Sequence, residues 1–292
     1  MVPLKCSVIG GDRRAACLCT RLLREGHSVR CFALERAELP KGAQRAGCLQ
    51  GCVYGAEWIF LPVPTEKHGL LLTPLSAETL PMAELLPVLW PGQVLIGGAF
   101  SQESSLAAVR GGLAVYDLLR RRDYTVGNAA LTAEGAIALL LQESESSLLS
   151  SHVLLTGWGR VASLLAPRLR SLGAYVTVAA RKAGDRATAE ALGLGSCRFE
   201  ELGRLLEDVD LVVNTVPAQV LSREELARLK KGTLLLELAS EPGFDREEAA
   251  ALGLRPLYAP GLPGQFAPEA AAGLIWETAG AIAREREESD GT

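Results

Sequence analysis

The chain has 292 residues, enough for two domains with separate cores. Hydrophobic residues make up 48% and charged residues 22%, which excludes a disordered chain. Lys and Arg number 30 against 34 Asp and Glu, a net charge of −4, so a general nucleic-acid-binding face is not expected.

The opening MVPLKCSVIGGD carries a short apolar run that enters glycines. It reads as a first strand, not a signal peptide. A helical pattern follows over residues 15–25, stopped by Gly26, and an alternating run covers residues 28–32. Further strands are expected at 58–61, 94–97 and 113–116. Residues 73–91 carry Pro74, Pro81, Pro87 and Pro91 and have room only for short helical pieces. A helix is expected over 132–142, then a serine-rich linker over 144–151. The second half repeats the opening. Val153-Leu154-Leu155-Thr156-Gly157 is again an apolar run ending in glycine, a helix is expected over 160–172, and an alternating run covers 174–179. Gly10 and Gly26 are spaced as Gly157 and Gly173 are. Helices at 185–192, 223–229 and 246–252 alternate with strands at 210–214, 233–238 and 255–258. A last helix runs from Pro268 to about Glu285.

Strand, glycine turn, helix, strand is the βαβ opening of a doubly wound sheet. The fold expected is therefore α/β: two Rossmann-like doubly wound parallel-sheet domains with an interdomain cleft. Residues 1–126 would form the first domain, on the substrate or partner side, and residues 127–292 the nucleotide-binding domain. The helix at 268–286 is long enough to pack back on the first.

No stretch reaches the ~18 consecutive apolar residues of a membrane span, so none is expected. Seven cysteines, an odd number without a C-x-x-C pair, read as reduced and mostly buried thiols. Three histidines, none at zinc-ligand spacing from another, make a metal site unexpected.

Gly157-Trp158-Gly159-Arg160-Val161-Ala162 matches G-x-G-x-x-A between a predicted strand and a predicted helix. Gly157 permits the turn, Gly159 lets the backbone approach a pyrophosphate, and Ala162 lets helix and strand pack closely. The N–H groups at Arg160 and Val161 and the helix dipole would face the phosphates. An NAD protein carries Asp or Glu at the end of the next strand. This chain has Arg181 and Lys182 there, which favours NADP, because a guanidinium can grip the 2′-phosphate that a carboxylate would repel. Solvated loop charges are the other reading. The first glycine turn, Gly10-Gly11-Asp12-Arg13-Arg14, lacks the second spaced glycine, and its Asp12 would repel a phosphate. Arg13 or Arg14 there holds a substrate carboxylate or simply solvates a first helical turn.

At later strand ends, Asn214, Thr215 and Pro217, then Ser240, suit the nicotinamide side of a cofactor. In the first half, Leu61-Pro62-Val63-Pro64-Thr65 plays the equivalent part, with Lys67 and His68 beyond it. His68 is a candidate general acid or base, or an exposed loop histidine. His27 and His152 read as packing or surface residues. No nucleophile elbow or paired catalytic carboxylates are recognisable.

Taken in order, Ile9-Gly10-Gly11-Asp12, Leu61-Pro62-Val63-Pro64, Asn128 with Thr132-Ala133-Glu134-Gly135, Gly157-x-Gly159-Arg160, Ala180-Arg181, Asn214-Thr215-x-Pro217, Leu238-Ala239-Ser240 and Ala259-Pro260-Gly261-Leu262-Pro263-Gly264 resemble the family of dipicolinate synthase A subunits. The likeness spans nearly the whole chain, and the ordered set carries it. The segment from Arg120 to Tyr124 departs from it, being more basic.

The resemblance implies oxidation of dihydrodipicolinate to pyridine-2,6-dicarboxylate with NADP⁺. The setting it implies is the cytoplasm of a sporulating bacterium's mother cell. The partner it implies is a second, flavoprotein-like polypeptide, the dipicolinate synthase B subunit; a homo-oligomer is compatible with it. It adds Asn128 and Thr132 to Arg13, Arg14 and Lys67 as expected substrate-binding residues. Several motifs are shared with alanine, shikimate and D-2-hydroxyacid dehydrogenases. The alternatives are therefore a stand-alone NADP-dependent dehydrogenase of another small acid and an NADP-binding subunit without redox activity.

Overall fold

The computed structural model describes residues 3–145 and 147–290. Met1 and Val2 of the opening segment and Ser146 of the expected linker lie outside the described residues. The chain divides into two compact units, Met1–Asn128 with Ala267–Thr292, and Ala129–Phe266.

The first unit opens with β1 (Lys5–Ile9), α1 (Arg13–Arg24) and β2 (Ser28–Phe32), followed by β3 (Gln44–Arg45), α2 (Leu49–Val53) and β4 (Trp58–Phe60). Three two-residue strands, β5 (Glu66–Lys67), β6 (Leu70–Leu71) and β7 (Leu80–Pro81), then form a small antiparallel sheet. The proline-rich stretch yields only α3 (Met82–Leu85) and a 3₁₀ turn. After it come β8 (Val94–Gly97), α4 (Gln102–Arg110) and β9 (Ala114–Asp117). The main sheet is parallel with strand order β3-β2-β1-β4-β8-β9. Every residue of β4 and β8 is buried, the continuous apolar pattern of strands covered on both faces. Leu18, Cys19 and Leu22, at helical spacing on α1, enter the same core.

The long α5 (Arg122–Glu143) begins in the first unit and continues in the second. Its first ten residues escape the periodicity argument because they carry polar residues and Gly127, where a Cβ would stand 2.8 Å from the methyls of Leu274. Tyr124 is buried in the core of the first unit; Ala133, Ala136 and Leu140 are buried in that of the second. By length and composition alone, α5 is apolar enough to cross a membrane, with a mean hydropathy of 1.2, which a count of consecutive apolar residues misses.

The second unit contains β10 (His152–Thr156), α6 (Arg160–Ser171), β11 (Tyr175–Ala179), α7 (Ala183–Ala191), β12 (Gly195–Cys197), β13 (Leu211–Asn214), α8 (Arg223–Leu226), β14 (Leu234–Glu237), α9 (Arg246–Ala251), β15 (Arg255–Tyr258) and α10 (Leu262–Phe266). Its sheet is fully parallel, β12-β11-β10-β13-β14-β15, with the strand order reversing at β10. Both units are thus Rossmann-like doubly wound sheets.

The last helix, α11 (Pro268–Asp290), belongs to the first unit and packs along α1. The Trp276 indole N–H donates to the Glu25 carboxylate at 2.6 Å, and its ring meets His27 edge-on at 4.9 Å. The His27 Nδ1 accepts from the Leu4 N–H at 3.0 Å, and burial holds the ring below its ordinary pKa. The basic departure at 120–124 has a structural use at Arg121, whose fork pairs with Asp123 at 2.8 Å and with Glu285 of α11 at 2.7 Å. All seven cysteines are free, and burial pushes the thiols of Cys6 and Cys52 up to about 12.

Candidate functional site

The two glycine turns occupy equivalent places after β1 and β10, yet their donors are used differently. In the first unit the Gly11 N–H donates to the Leu72 carbonyl at 2.9 Å, so the small antiparallel sheet closes over the turn. Asp12 caps α1 by accepting from the Arg14 N–H at 3.0 Å. The same carboxylate takes the Arg14 guanidinium at 2.8 Å, and that guanidinium also donates to the Val63 carbonyl at 2.6 Å. This helix start is neutralised from within.

In the second unit, Gly157 is held at φ +91°, where a Cβ would stand 2.7 Å from Thr215 Oγ1 and 2.8 Å from Val216 Cγ2. Gly159 is exposed at the N-cap of α6, supplies no side-chain cap, and has nothing within 4 Å of the position its Cβ would take. Arg160 and Val161 therefore present first-turn N–H groups to an open cradle. Ala162 is fully buried against β10, as the close packing of helix on strand requires.

At the end of β11 stand Arg181 and Lys182, both exposed. Arg181 lies over the Phe199 ring, 6.0 Å from its centroid. Arg186 donates to the carbonyls of Ala180 and Arg181 at 2.8 and 2.9 Å, which fixes the backbone there. Neither Arg186 nor Phe199 was legible as part of this corner, since both lie well beyond the strand end. A nicotinamide dinucleotide fits these residues: a cradle that a methyl would fill, an uncapped helix start, and cations where an NAD protein carries an acid.

Asn214 and Thr215 face inward. Thr215 Oγ1 donates to the Thr156 carbonyl at 2.7 Å, behind the Gly157 turn. Asn214 is fully buried; its Nδ2 donates to the Val216 carbonyl at 2.9 Å and to Glu237 at 2.7 Å. Pro217 and Ser240 are exposed on the loops after β13 and β14. Glu237 escaped the sequence reading, although a carboxylate closing the apolar run Leu234-Leu235-Leu236 was its signal. It is 1% exposed, and burial pushes its carboxyl above the ordinary range.

The residues expected on the substrate side fall at several places. Arg13 is exposed on the first turn of α1, next to the internally paired Arg14. Lys67 and His68 are exposed on the β5–β6 hairpin, whose turn residues His68 and Gly69 have φ +53° and +75°. Asn128 accepts from the Tyr124 hydroxyl at 3.5 Å, and Thr132 lies one turn further along α5. Thr65, fully buried, bolts the loop after β4 to β8: its N–H donates to the Gly98 carbonyl at 2.6 Å and its hydroxyl accepts from the Gly98 N–H at 2.9 Å. Among the described residues no group of three or more His, Cys, Asp or Glu is placed to hold a metal ion.

Residues 5–119 match the family model for the N-terminal domain of the dipicolinate synthase A subunit. A curated relative, the dipicolinate synthase A subunit of Bacillus subtilis (strain 168), is 29% identical over 276 residues, 93% of each chain. The crystal structure of the dipicolinate synthase A subunit from Bacillus halodurans superposes with a TM-score of 0.83 at 26% identity, covering 97% of this chain and 98% of that one. This chain is similar to the A subunit of dipicolinate synthase. The likeness runs through both units, as the crystal structure of the B. subtilis protein also shows, with a TM-score of 0.82 at 28% identity over 99% and 98% of the two chains. Residues 118–251 match the D-isomer specific 2-hydroxyacid dehydrogenase NAD binding domain. At 13% identity, D-lactate dehydrogenase from Escherichia coli shares the fold, with a TM-score of 0.62 over 98% of each chain. The chain is thus a dehydrogenase-like protein with a pyridine-nucleotide-binding domain.

Proposed function

We propose that this chain oxidises dihydrodipicolinate to dipicolinate with NADP⁺, as one of the two polypeptides of a dipicolinate synthase in the cytoplasm of a sporulating cell. The observation that carries the cofactor part is the contrast between the two glycine turns: one closed by its own chain, the other open at Gly159 and flanked by Arg181 and Lys182. The resemblance to the dipicolinate synthase A subunit over 93% of the chain supports the substrate.

The α6 N-terminus, with Gly159, Arg160 and Val161, would hold the pyrophosphate, and Arg181 and Lys182 the 2′-phosphate. Pro217 and Ser240, exposed on the loops after β13 and β14, would face the nicotinamide side, with buried Asn214 and half-buried Thr215 behind them as supports. Bound there, NADP⁺ supplies the hydride acceptor. The reaction removes one hydride and one proton from the dihydropyridine, and the gain of aromaticity supplies driving force, so no strong nucleophile is needed. The protein's work is orientation and charge. Arg13 and Lys67, with Asn128 and Thr132, are the groups we assign to the substrate dianion; Arg14 would act from within its Asp12 pair. His68 is the candidate proton acceptor.

The test is to supply dihydrodipicolinate and NADP⁺ to the purified chain, with and without the flavoprotein-like partner, and to quantify dipicolinate and NADPH. Equal molar yields of both, formed efficiently only with the partner, are expected. No dipicolinate under either condition refutes the substrate, and equal rates under both refute the need for a partner. The 2-hydroxyacid dehydrogenase match favours one competing reading, oxidation of another small acid by this chain alone. Turnover of a 2-hydroxy acid without dihydrodipicolinate activity would establish it.

A further inference from the structure

Beyond the glycine turn, one connected polar network crosses the carboxyl ends of three neighbouring strands in the second unit. Thr156, at the end of β10, donates its hydroxyl to Asn214 Oδ1. Asn214, at the end of β13, also accepts from the Val216 N–H at 3.1 Å and returns its own amide to the Val216 carbonyl. That amide reaches both oxygens of Glu237, its register partner on β14, at 2.7 and 3.0 Å. Glu237 further accepts from the backbone N–H groups of Ala239 at 2.9 Å and Gly243 at 2.7 Å. The carboxylate therefore gathers donors from the last residue of β13 and from the loop that follows β14, and reaches the loop after β13 only through Asn214. Gly243 is pressed so close that a Cβ there would overlap the Asn214 amide.

The sheet order places Asn214 and Glu237 on one side of β10 and the Arg181 corner on the other. A dinucleotide whose pyrophosphate sits at the β10–α6 turn, with its 2′-phosphate at the end of β11, must lay its nicotinamide half toward β13 and β14. We propose that Glu237 is a positioning residue: through Asn214, Ala239 and Gly243 it sets the two loops that receive the nicotinamide half, without touching the cofactor. Full burial keeps Glu237 from ligand contact, and the Val216 and Ala239 backbones it organises directly precede Pro217 and Ser240. The assignment rests on the nucleotide-binding reading above and adds the division of labour within that site.

A ligand lacking the nicotinamide half separates this role from a merely structural one. Binding of NADPH and of 2′,5′-ADP is measured by calorimetry for the wild type, Glu237→Gln and Thr156→Val. Glutamine offers one acceptor where the carboxylate offers two and turns an amide toward the Gly243 N–H. Expected for Glu237→Gln is NADPH binding weakened at least tenfold with 2′,5′-ADP binding within twofold of wild type. Thr156→Val keeps the side-chain shape and removes only the hydroxyl bond to Asn214; it should show the same split at about threefold, and it decides the matter if Glu237→Gln does not fold. Equal loss of both ligands, or no loss of either, overturns the assignment. A wild type that binds neither ligand refutes the nucleotide site itself, and this assignment falls with it.

Discussion

A methyl group placed on Gly159 and, separately, on Gly157 separates the ligand's glycine from the fold's. At Gly157 the backbone φ of +91° is foreign to L side chains, a penalty of about 1–3 kcal/mol. The new Cβ also meets Thr215 Oγ1 at 2.7 Å and Val216 Cγ2 at 2.8 Å, overpacking that typically costs another ~1–3 kcal/mol. Gly157→Ala should therefore destabilise the second unit by about 2–6 kcal/mol, a large share of the ~5–15 kcal/mol that holds a domain folded. Gly159 differs in both respects. Its φ of −83° and ψ of −172° suit any residue, and its Cβ position is open. Losing glycine at an N-cap costs up to ~1 kcal/mol, and the stiffer unfolded chain returns ~0.4–1 kcal/mol. Gly159→Ala should keep wild-type stability within about 1 kcal/mol and weaken NADPH binding at least tenfold, about 1.4 kcal/mol, because the methyl fills the phosphate cradle. Urea unfolding and fluorescence titration of both variants form the assay. A Gly159→Ala protein with undiminished NADPH affinity would refute the placement of the phosphates at this turn.

Arg181→Ala should remove most of an at least tenfold preference for NADPH over NADH while leaving NADH affinity nearly unchanged, and Arg181→Asp should reverse the preference; equal wild-type affinities for the two cofactors would reduce Arg181 to a surface charge. Asp12→Ala removes the cap of α1 and the partner of buried Arg14, for an expected loss of about 2–4 kcal/mol measured by urea unfolding, whereas Asp12→Asn, which keeps the cap, should lose less. Burial raises the Glu237 carboxyl in the folded protein, so the folded state binds its proton more tightly than the unfolded chain. That contribution to stability is fully present below the unfolded-state value and is lost as pH rises through the folded-state value. A wild type that loses stability over this window more steeply than Glu237→Gln is the expected result, and parallel pH profiles would count against it.

The sheet strands were legible because they are short apolar runs bounded by glycine and proline: β8 and β15 occupy the expected spans, and β13 and β14 differ only at their ends. Period and punctuation do not reach elements two residues long, so β3 and the β5–β7 sheet left no pattern. The first half of α5 is hidden for another reason. Tyr124 and Ala133 serve different cores, so no single apolar stripe runs along the helix. In the site, Gly157, Gly159 and Arg181 declare themselves by type and spacing. The inward commitment of Arg14, Asn214 and Thr215 depends on partners as remote as Val63 and Glu237, which no local window contains.

The return of α11 to the first unit bears on how the polypeptide matures. The bond from Trp276 to Glu25 joins residues 251 positions apart, and every residue of the second unit is synthesised between them. A core whose closing helix emerges only after the whole second unit cannot be completed while the ribosome is still reading the middle of the message. The second unit, continuous in sequence, faces no such wait. Synthesis would therefore release a finished nucleotide domain tethered to an open neighbour whose α1 stripe, with Leu18 and Leu22, still lacks its cover. Premature termination near Ala267 should thus injure the unit whose other segment, residues 1–128, was translated first, and leave chains prone to associate through that uncovered helix.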